Sequence, residues 1–358
     1  MRKYYTRACN FYYGNTAKDL ILNKKALSLN SRKDIAFDQI EIFQRKKNHV
    51  VESKFYSISE IKKLNRKILY EVEKDLRNIT LKRKDILGLK FNIPQIMGVL
   101  NMTPDSFSDG GSYFDETRAH TQIKLMIDNG ATIIDIGGES TRPGSKTIDE
   151  KEEWARIKNI IIKFKKNFPK TFLSLDTRKS QVMSSGIKYG VDIINDVSGL
   201  NFDNKSFDLI NSKKIPFVLN HMQGTPNSMQ NNPTYNDVLL DIFDFFEKKI
   251  TFCIKQKYKK EFIVLDLGIG FGKNLDHNVR LMSKISIFHS LGCPILLGTS
   301  RKKFIEHIVT KFDTPDRTGG TLASVLYGLS QGVQLFRVHN VKEINQGILV
   351  YNKILNSN

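Results

Sequence analysis

Cysteine is scarce in this chain, long apolar runs are absent, and each shortage removes a class of protein. Only three of the 358 residues are cysteine. Cys9, Cys253 and Cys293 lie too far apart to frame a zinc site, and their odd number supplies no disulfide scaffold. A reducing compartment, the cytoplasm, is the expected setting. No stretch approaches the apolar length that a bilayer crossing needs, so no membrane is expected among the partners. The opening MRKYYTRACNFYYG is basic but lacks the apolar centre of a secretory signal, and none is expected. The sequence has no aromatic-plus-basic RNA motif, no helix-turn-helix pattern, no low-complexity linker and no internal repeat beyond the rhythm described below.

Positive charge is what the chain has in excess, with a formal net charge of +19. The first 90 residues hold 22 of the 56 Lys and Arg but only 10 of the 37 Asp and Glu, so the rest is close to balanced. A basic segment can attract nucleic acid or an acidic surface, and nucleic-acid binding through it would be steeply salt-dependent. Lysines on solvated helix faces account for the same excess, and no nucleic-acid partner is expected.

From residue 93 a regular alternation begins. Eight short apolar runs are each followed by a longer helical pattern: IMGVLNM (96–102), TIIDIGG (132–138), TFLSLDT (171–177), IINDVSG (193–199), PFVLNHM (216–222), FIVLDLG (262–268), PILLGTS (294–300) and LFRVHN (335–340). The clearest helix between them is YNDVLLDIFDFFEKKI (235–250), with Val238 and Phe245 on one face. Eight βα repeats predict an α/β fold, a (βα)8 TIM barrel over residues 93–358. A doubly wound sheet has the same periodicity and stays open at this point. The runs begin apolar and end polar, at Asn101, Asp135, Asp176, Asn195, His221, Asp266, Ser300 and the pair Arg337 and His339. In a barrel those ends converge on one face, where sites are built.

Residues 1–92 read as a small N-terminal α+β extension packed on the barrel. IAFDQIEIFQR (35–45) has partial strand alternation. SISEIKKLNRKILYEVEKDL (57–76) predicts one helix opened by a Ser57–Glu60 capping box, with Ile61, Leu64, Ile68 and Val72 on its apolar face.

Three loops carry unusual sequence: NMTPDSFSDGG (101–111), GGESTRPGS (137–145) and GTSRKKF (298–304). With DLGIGFGKN (266–274) and RVHN (337–340), in this order from about residue 95 to 340, they closely resemble the dihydropteroate synthase family. The resemblance implies condensation of 6-hydroxymethyl-7,8-dihydropterin diphosphate with p-aminobenzoate, giving 7,8-dihydropteroate and pyrophosphate. It implies a pterin pocket of Asp176, Asn195, Asp266 and Lys302, with carboxylates facing the ring donors and the ammonium facing the ring carbonyl. The implied diphosphate side is Thr141, Arg142, Arg337 and His339. Arg337 and His339 also share one side of the last strand by its period of two. Asn101 is the implied contact of a Mg2+ ion, which a single neutral ligand holds poorly and which should arrive with the diphosphate. Phe107, Thr141, Pro143 and Lys303 are the implied p-aminobenzoate pocket, partly on loops rich in Gly, Pro, Ser and Asp that suit mobile lids. The resemblance further implies a homodimer and sulfonamides that compete with p-aminobenzoate.

The sequence departs from the family pattern at Leu267, where many members carry Pro, at Lys303, where many carry Ser, and at Asn340, where Asp is more frequent. GIGFGK (268–273) is neither a dinucleotide fingerprint nor a Walker motif, and no nucleotide is expected there. His221 has no partners at metal spacing and is expected to pack or hydrogen-bond at a strand end. Two related readings stay open: a pterin-binding methyltransferase module and a catalytically silent pterin-binding paralogue. The complete loops and the Arg337–His339 pair favour the synthase over both.

Overall fold

The computed structural model describes residues 2–47, 50–103, 112–140, 144–309 and 316–357. Before the barrel come β1 (Tyr4–Tyr13), α1 (Gly14–Leu22), β2 (Leu27–Ser28), β3 (Ile35–Arg45), β4 (Val51–Ser57) and α2 (Arg66–Thr80). The barrel strands are β5 (Gln95–Asn101), β6 (Ile133–Gly137), β7 (Phe172–Asp176), β8 (Ile193–Asp196), β9 (Phe217–Asn220), β10 (Ile263–Asp266), β11 (Ile295–Leu297) and β12 (Leu335–Val338). Around them lie α3 (Ser112–Asp128), α4 (Glu150–Asn167), α5 (Ser180–Lys188), α6 (Ser206–Lys213), α7 (Val238–Lys255), α8 (Leu275–Ser283), α9 (Lys303–Ile308), α10 (Thr318–Ser330) and α11 (Val341–Leu355). Each barrel strand pairs in parallel with its neighbours in chain order, and β12 returns to pair with β5, Arg337 opposite Met97. That closure decides against the doubly wound sheet.

The period of two along each strand sorts its residues into two cores. Ile134, Leu175, Ile194, Leu219, Leu265 and Phe336 belong to the large cluster shared with the surrounding helices. Their neighbours Met97, Ile133, Ile193, Val218, Val264, Leu296 and Leu335 form a second, separate cluster inside the barrel. Ile86, Leu89 and Phe91, from the segment ahead of β5, plug its lower end. The inward positions one step further up are therefore Asp135, Ser174, Asn195, Asn220, Asp266 and Arg337.

The extension holds an antiparallel sheet in which β3 is flanked by β1 and β4, with β2 paired to the start of β3 at Ala36 and Phe37. Strand β1 shows no alternation because Tyr5, Thr6, Arg7, Ala8 and Cys9 are all buried. Tyr5 packs edge-on against Phe243 of α7. Ala8 instead joins Ile40, Ile42, Val72 and Ile79 in the core beneath α2. A strand covered on both faces loses the periodic signal, which is why only β3 is legible in the sequence.

Two helix expectations are corrected. The helix expected over 57–76 is two elements. The Ser57–Glu60 capping box opens a short 3-10 segment, Ile58–Lys63. Leu64 is extended, and Asn65 then caps α2 by accepting from the Ile68 N–H. The helix expected from 235 starts at Val238, because Asp237 caps it and accepts from the Leu240 N–H. Tyr235 and Asn236 lie in the preceding loop.

Phe91 is almost fully buried among Ile86, Leu89 and the lower layer of strand side chains. Phe91→Ala should cost about 3–5 kcal/mol, read as a lower urea midpoint at unchanged slope, since the plug leaves a cavity that rigid strands cannot fill. An unchanged midpoint would show that the plug is dispensable.

Candidate active site

The upper rim of the barrel is a crowd of charges held together by one arginine. Arg337 reaches across the mouth, Nε donating to Asp135 Oδ2 and Nη2 to Asp176 Oδ2, each at 2.7 Å. Asp135 also accepts from Ser174 Oγ at 2.5 Å and from Asn195 Nδ2 at 2.9 Å. Gly137 makes the close approach possible, since a Cβ there would lie 3.3 Å from that of Asp176. Burial pushes the Asp176 carboxyl up to about 7; Arg337 opposes the rise, and the Asp135 charge adds to it. The two carboxylates hold the Arg337 guanidinium firmly protonated despite its burial.

Across the mouth, Asp266 Oδ1 accepts the Gly268 N–H at 2.8 Å. Burial raises its pKa, and the Gly268 N–H and the charge of Lys302 work against that rise. Lys302 places its ammonium 3.8 Å from the centre of the Phe271 ring. Burial, then the repulsion of Arg337, lowers the ammonium pKa to about 8.

The turn that carries Phe271 is built on glycine. Gly268 has φ +63°, and a Cβ there would fall 2.0 Å from the His221 carbonyl oxygen. Lys273 sits in the middle and donates to the carbonyls of His221, Gly268 and Phe271 at 3.1, 2.9 and 2.8 Å. The lysine of GIGFGK thus faces its own loop, as a structural staple. His221 Nδ1 lies 3.1 Å from the same ammonium, and its ring packs edge-on against Phe245. This is the packed, hydrogen-bonding role expected of it.

Asp176, Asn195, Asp266, Lys302 and Arg337 thus meet at one rim, and Asn101 ends β5 on the same inward register. His339 lies just past β12, with its N–H donating to Ser300 Oγ at 3.2 Å and its Nδ1 2.9 Å from that hydroxyl. Lys303 is the exposed first residue of α9. Phe107, Thr141, Arg142 and Pro143 lie outside the described residues. Of the departures, Leu267 is buried in the main core. Asn340 accepts from Arg301 Nε and Nη2 at 3.1 and 2.9 Å, so a neutral acceptor does the work there.

Sequence reasoning named Asp135 only as a strand end and passed over Ser174 and Asn220. Strict period two would have found all three, since each shares the inward register of Ile133, Phe172 or Val218. The same rule takes His221 off the inward face.

Glu139, just before residues 141–143, lies in a buried ionic cluster. It accepts from Arg178 Nε at 3.0 Å, Lys179 Nζ at 2.9 Å and the Ile148 N–H at 3.1 Å. Lys179 also binds Glu153 at 2.5 Å. Both stems of the loop around residues 141–143 are thereby anchored to one carboxylate.

The closed parallel barrel gathers buried carboxylates, an arginine and a cation over an aromatic ring at its upper rim, a set of acceptors and donors able to hold a flat polar heterocycle. Comparison with known proteins names its class. Residues 97–339 match the family of pterin binding enzymes. Dihydropteroate synthase of Haemophilus influenzae is 37% identical over 269 residues, 75% of this chain and 97% of the relative. That of Bacillus subtilis is 40% identical over 263 residues, 73% and 88% of the two chains. Among solved structures, Yersinia pestis dihydropteroate synthase with a sulfonamide drug superposes with a TM-score of 0.70 at 37% identity, covering 74% of this chain and 96% of that one. The Xanthomonas albilineans enzyme in complex with 7,8-dihydropteroate gives 0.67 at 30% identity, covering 74% and 95%. The chain belongs to the pterin-binding enzymes and, within them, to the dihydropteroate synthases, transferases of folate biosynthesis.

Arg337→Ala should leave Asp135 and Asp176 facing each other without their cation. A loss of about 3–5 kcal/mol in urea unfolding is expected. Adding Asp176→Asn should recover part of it. If the double variant is no more stable than the single one, the carboxylate repulsion is not what Arg337 relieves.

Proposed function

We propose that the rim binds the pterin diphosphate through Asp176, Asn195, Asp266 and Lys302, and that the chain joins it to p-aminobenzoate in the cytoplasm. The observation that carries this reading is Asp176 Oδ1, a buried carboxylate oxygen with no hydrogen-bond partner among the described residues. Such an acceptor costs free energy until a ligand donor meets it. The pterin edge offers N–H donors beside a carbonyl; Asp266 and Asp176 take the donors and the Lys302 ammonium meets the carbonyl. The Phe271 ring under Lys302 fixes the direction of that charge.

The amine nitrogen of p-aminobenzoate attacks the pterin methylene carbon. The C–O bond to the diphosphate breaks, pyrophosphate leaves with the electron pair, and the amine proton passes to solvent. An electron-rich pterin supports positive charge at that carbon, so the protein stabilises the departing anion and excludes water. Pterin donors compete with Arg337 for Asp176. In this reading they turn the guanidinium towards the diphosphate, where His339, Thr141 and Arg142 assist. The aromatic amine is weakly basic and needs no strong general base.

The donor set decides how Mg2+ fits. No cluster of three or more His, Cys, Asp and Glu suited to a metal exists among the described residues. Asn101 supplies one amide oxygen, which suits a hard cation that brings phosphate oxygens as its other ligands. Bound in that way, Mg2+ would offset charge on the leaving group.

Structures of the Xanthomonas albilineans enzyme contain 4-aminobenzoic acid or 7,8-dihydropteroate. For this chain we place p-aminobenzoate beside Phe107, Thr141, Pro143 and Lys303, with the Lys303 ammonium near the benzoate carboxylate. The cytoplasmic setting is supported by three buried free thiols. We also propose a homodimer, supported by the exposed Leu349, Val350 and Ile354 on α11.

Pyrophosphate release should require the pterin diphosphate, p-aminobenzoate and Mg2+ together, with a sulfonamide competing against p-aminobenzoate. Release without the amine, or purely non-competitive inhibition, would count against the pocket. Asp266→Ala should abolish pterin binding in calorimetry, and near-normal affinity would remove Asp266 from the site. A second test uses pH. The Lys302 ammonium titrates near 8 in the free protein, so it is charged below that value and pterin affinity should weaken as pH rises through it. In Lys302→Arg the charge persists and the weakening should disappear. Parallel profiles for the two proteins would exclude the ammonium as a pterin contact.

A further inference from the structure

We infer that the N-terminal extension is a clamp on the pterin site, and that Arg45 is a positioning residue for the reaction. The inference rests on reading the Lys302–Phe271 corner as part of the pterin pocket.

Arg45 ends β3, and its side chain is almost wholly buried against α7. Nη1 donates to Asp241 Oδ1 at 3.1 Å and Nη2 to Asp244 Oδ2 at 3.2 Å. Tyr5 adds a hydroxyl donor to Asp244 at 2.8 Å. Asp241 is not only a partner of Arg45. Its other oxygen accepts the N–H groups of Asn236 and Asp237, at 2.8 and 3.2 Å. It therefore fixes the point where the loop after β9 enters α7. Asp237 is held further by its cap bond to the Leu240 N–H and by Arg280 at 2.7 Å.

That loop, residues 221–237, leads straight to the rim. Gln223 and Thr234 close it by a side chain-to-backbone pair, at 2.9 and 3.2 Å. Tyr235, two residues before the α7 cap, donates its hydroxyl to the Gly272 carbonyl at 2.7 Å. Gln230 donates to the Gly270 carbonyl, also at 2.7 Å. Gly270 and Gly272 flank Phe271, the ring under the Lys302 ammonium, and a Cβ on Gly270 would lie 3.2 Å from the Lys302 side chain. On its other side the loop meets the stem of the Glu139 loop, where the Gly144 N–H donates to the Pro226 carbonyl at 3.1 Å.

The connection runs from Arg45 through Asp241 to the start of α7, through Tyr235 and Gln230 to the two glycines, and so to Phe271 and Lys302. Between chain segments the joints are ion pairs and hydrogen bonds, ending in the cation–π contact of Lys302 with Phe271, and the loop itself contributes few buried apolar side chains, Met229 being one. With little packing of its own, its position follows the groups that pin its end. The matched relatives cover about three quarters of this chain while being matched over nearly all of their own length, and the family match begins at residue 97. The clamp therefore acts on the shared barrel from a segment outside the family match.

The test compares full-length protein with Arg45→Gln, Asp241→Asn and Tyr13→Phe. Tyr13 donates to the Ser330 carbonyl at 2.6 Å, at the far end of the same interface and away from the rim. Arg45→Gln and Asp241→Asn should speed amide exchange in 223–237 and 268–273, and raise KM for the pterin diphosphate about five- to tenfold while kcat and KM for p-aminobenzoate change little. Tyr13→Phe should lower the melting temperature with all kinetic constants intact. A pterin diphosphate KM that stays at the parent value in both Arg45→Gln and Asp241→Asn overturns the proposal, whatever happens to stability or exchange. So does an equal rise in Tyr13→Phe, which would make the effect one of general stability. Lys302→Ala measured alongside separates the two layers: unchanged pterin affinity there would sink the assignment of the pocket, while the exchange data would still report whether Arg45 holds the loop.

Discussion

Closing eight parallel strands into a barrel forces eight carboxyl ends into one small mouth, and the charges placed there must be reconciled before anything else can happen. Asp135, Asp176 and Asp266 are all buried at that rim. Two like charges about 4 Å apart repel by about 4 kcal/mol at the effective dielectric of a protein near its surface, and by more when drier. Arg337 is the answer: one guanidinium spans Asp135 and Asp176. Ser174 and Asn195 satisfy the oxygens of Asp135, and one oxygen of Asp176 is left buried without a hydrogen-bond partner among the described residues. The lower barrel carries no such tension, since it is filled by aliphatic side chains and the Phe91 plug.

The same crowding tunes the site. Desolvation drives the Asp176 carboxyl up and the Lys302 ammonium down from their ordinary values. Perturbed groups of opposite sign crowded at one barrel mouth are the pattern of a functional site. The ammonium of Lys273, by contrast, is surrounded by carbonyl oxygens of its own turn and serves shape rather than charge. Two lysines near one rim thus have different surroundings, backbone carbonyls for Lys273 and an aromatic ring for Lys302.

Around this rigid rim the loops differ in how they are held. The stems beside residues 141–143 are tied to the buried Glu139, Arg178 and Lys179 cluster. The loop after β9 is tied through Asp241 to the extension. A buried ion pair contributes little net stability because desolvation offsets its attraction, yet breaking one is costly. Such pairs hold geometry, which is the property a rim of loops needs.

The sequence by itself determined the eight βα repeats, their order and most of the rim, while closure of the sheet was settled by the pairing of β12 with β5. Hydrophobic runs of fixed spacing are a local signal; Asp176, Asn195, Asp266 and Arg337 are polar residues in or at the end of such runs, and the family resemblance pointed to them. It also carried the information for Asp135, Ser174 and Asn220, in the strict alternation of each strand. Tertiary structure alone decided the rest. Arg337 meets Asp135 across 202 positions of chain, and no local pattern encodes such a meeting. Strand β1 is hidden from periodicity because both its faces are buried; the break at Leu64–Asn65, by contrast, is local, since Asn65 caps the Ile68 N–H three residues on. Whether Lys273 or Lys302 faces the mouth is fixed by a glycine turn whose shape depends on the His221 carbonyl of another strand. A residue's neighbours along the chain set its secondary structure, but its charge state and its task are set by neighbours that only folding brings near.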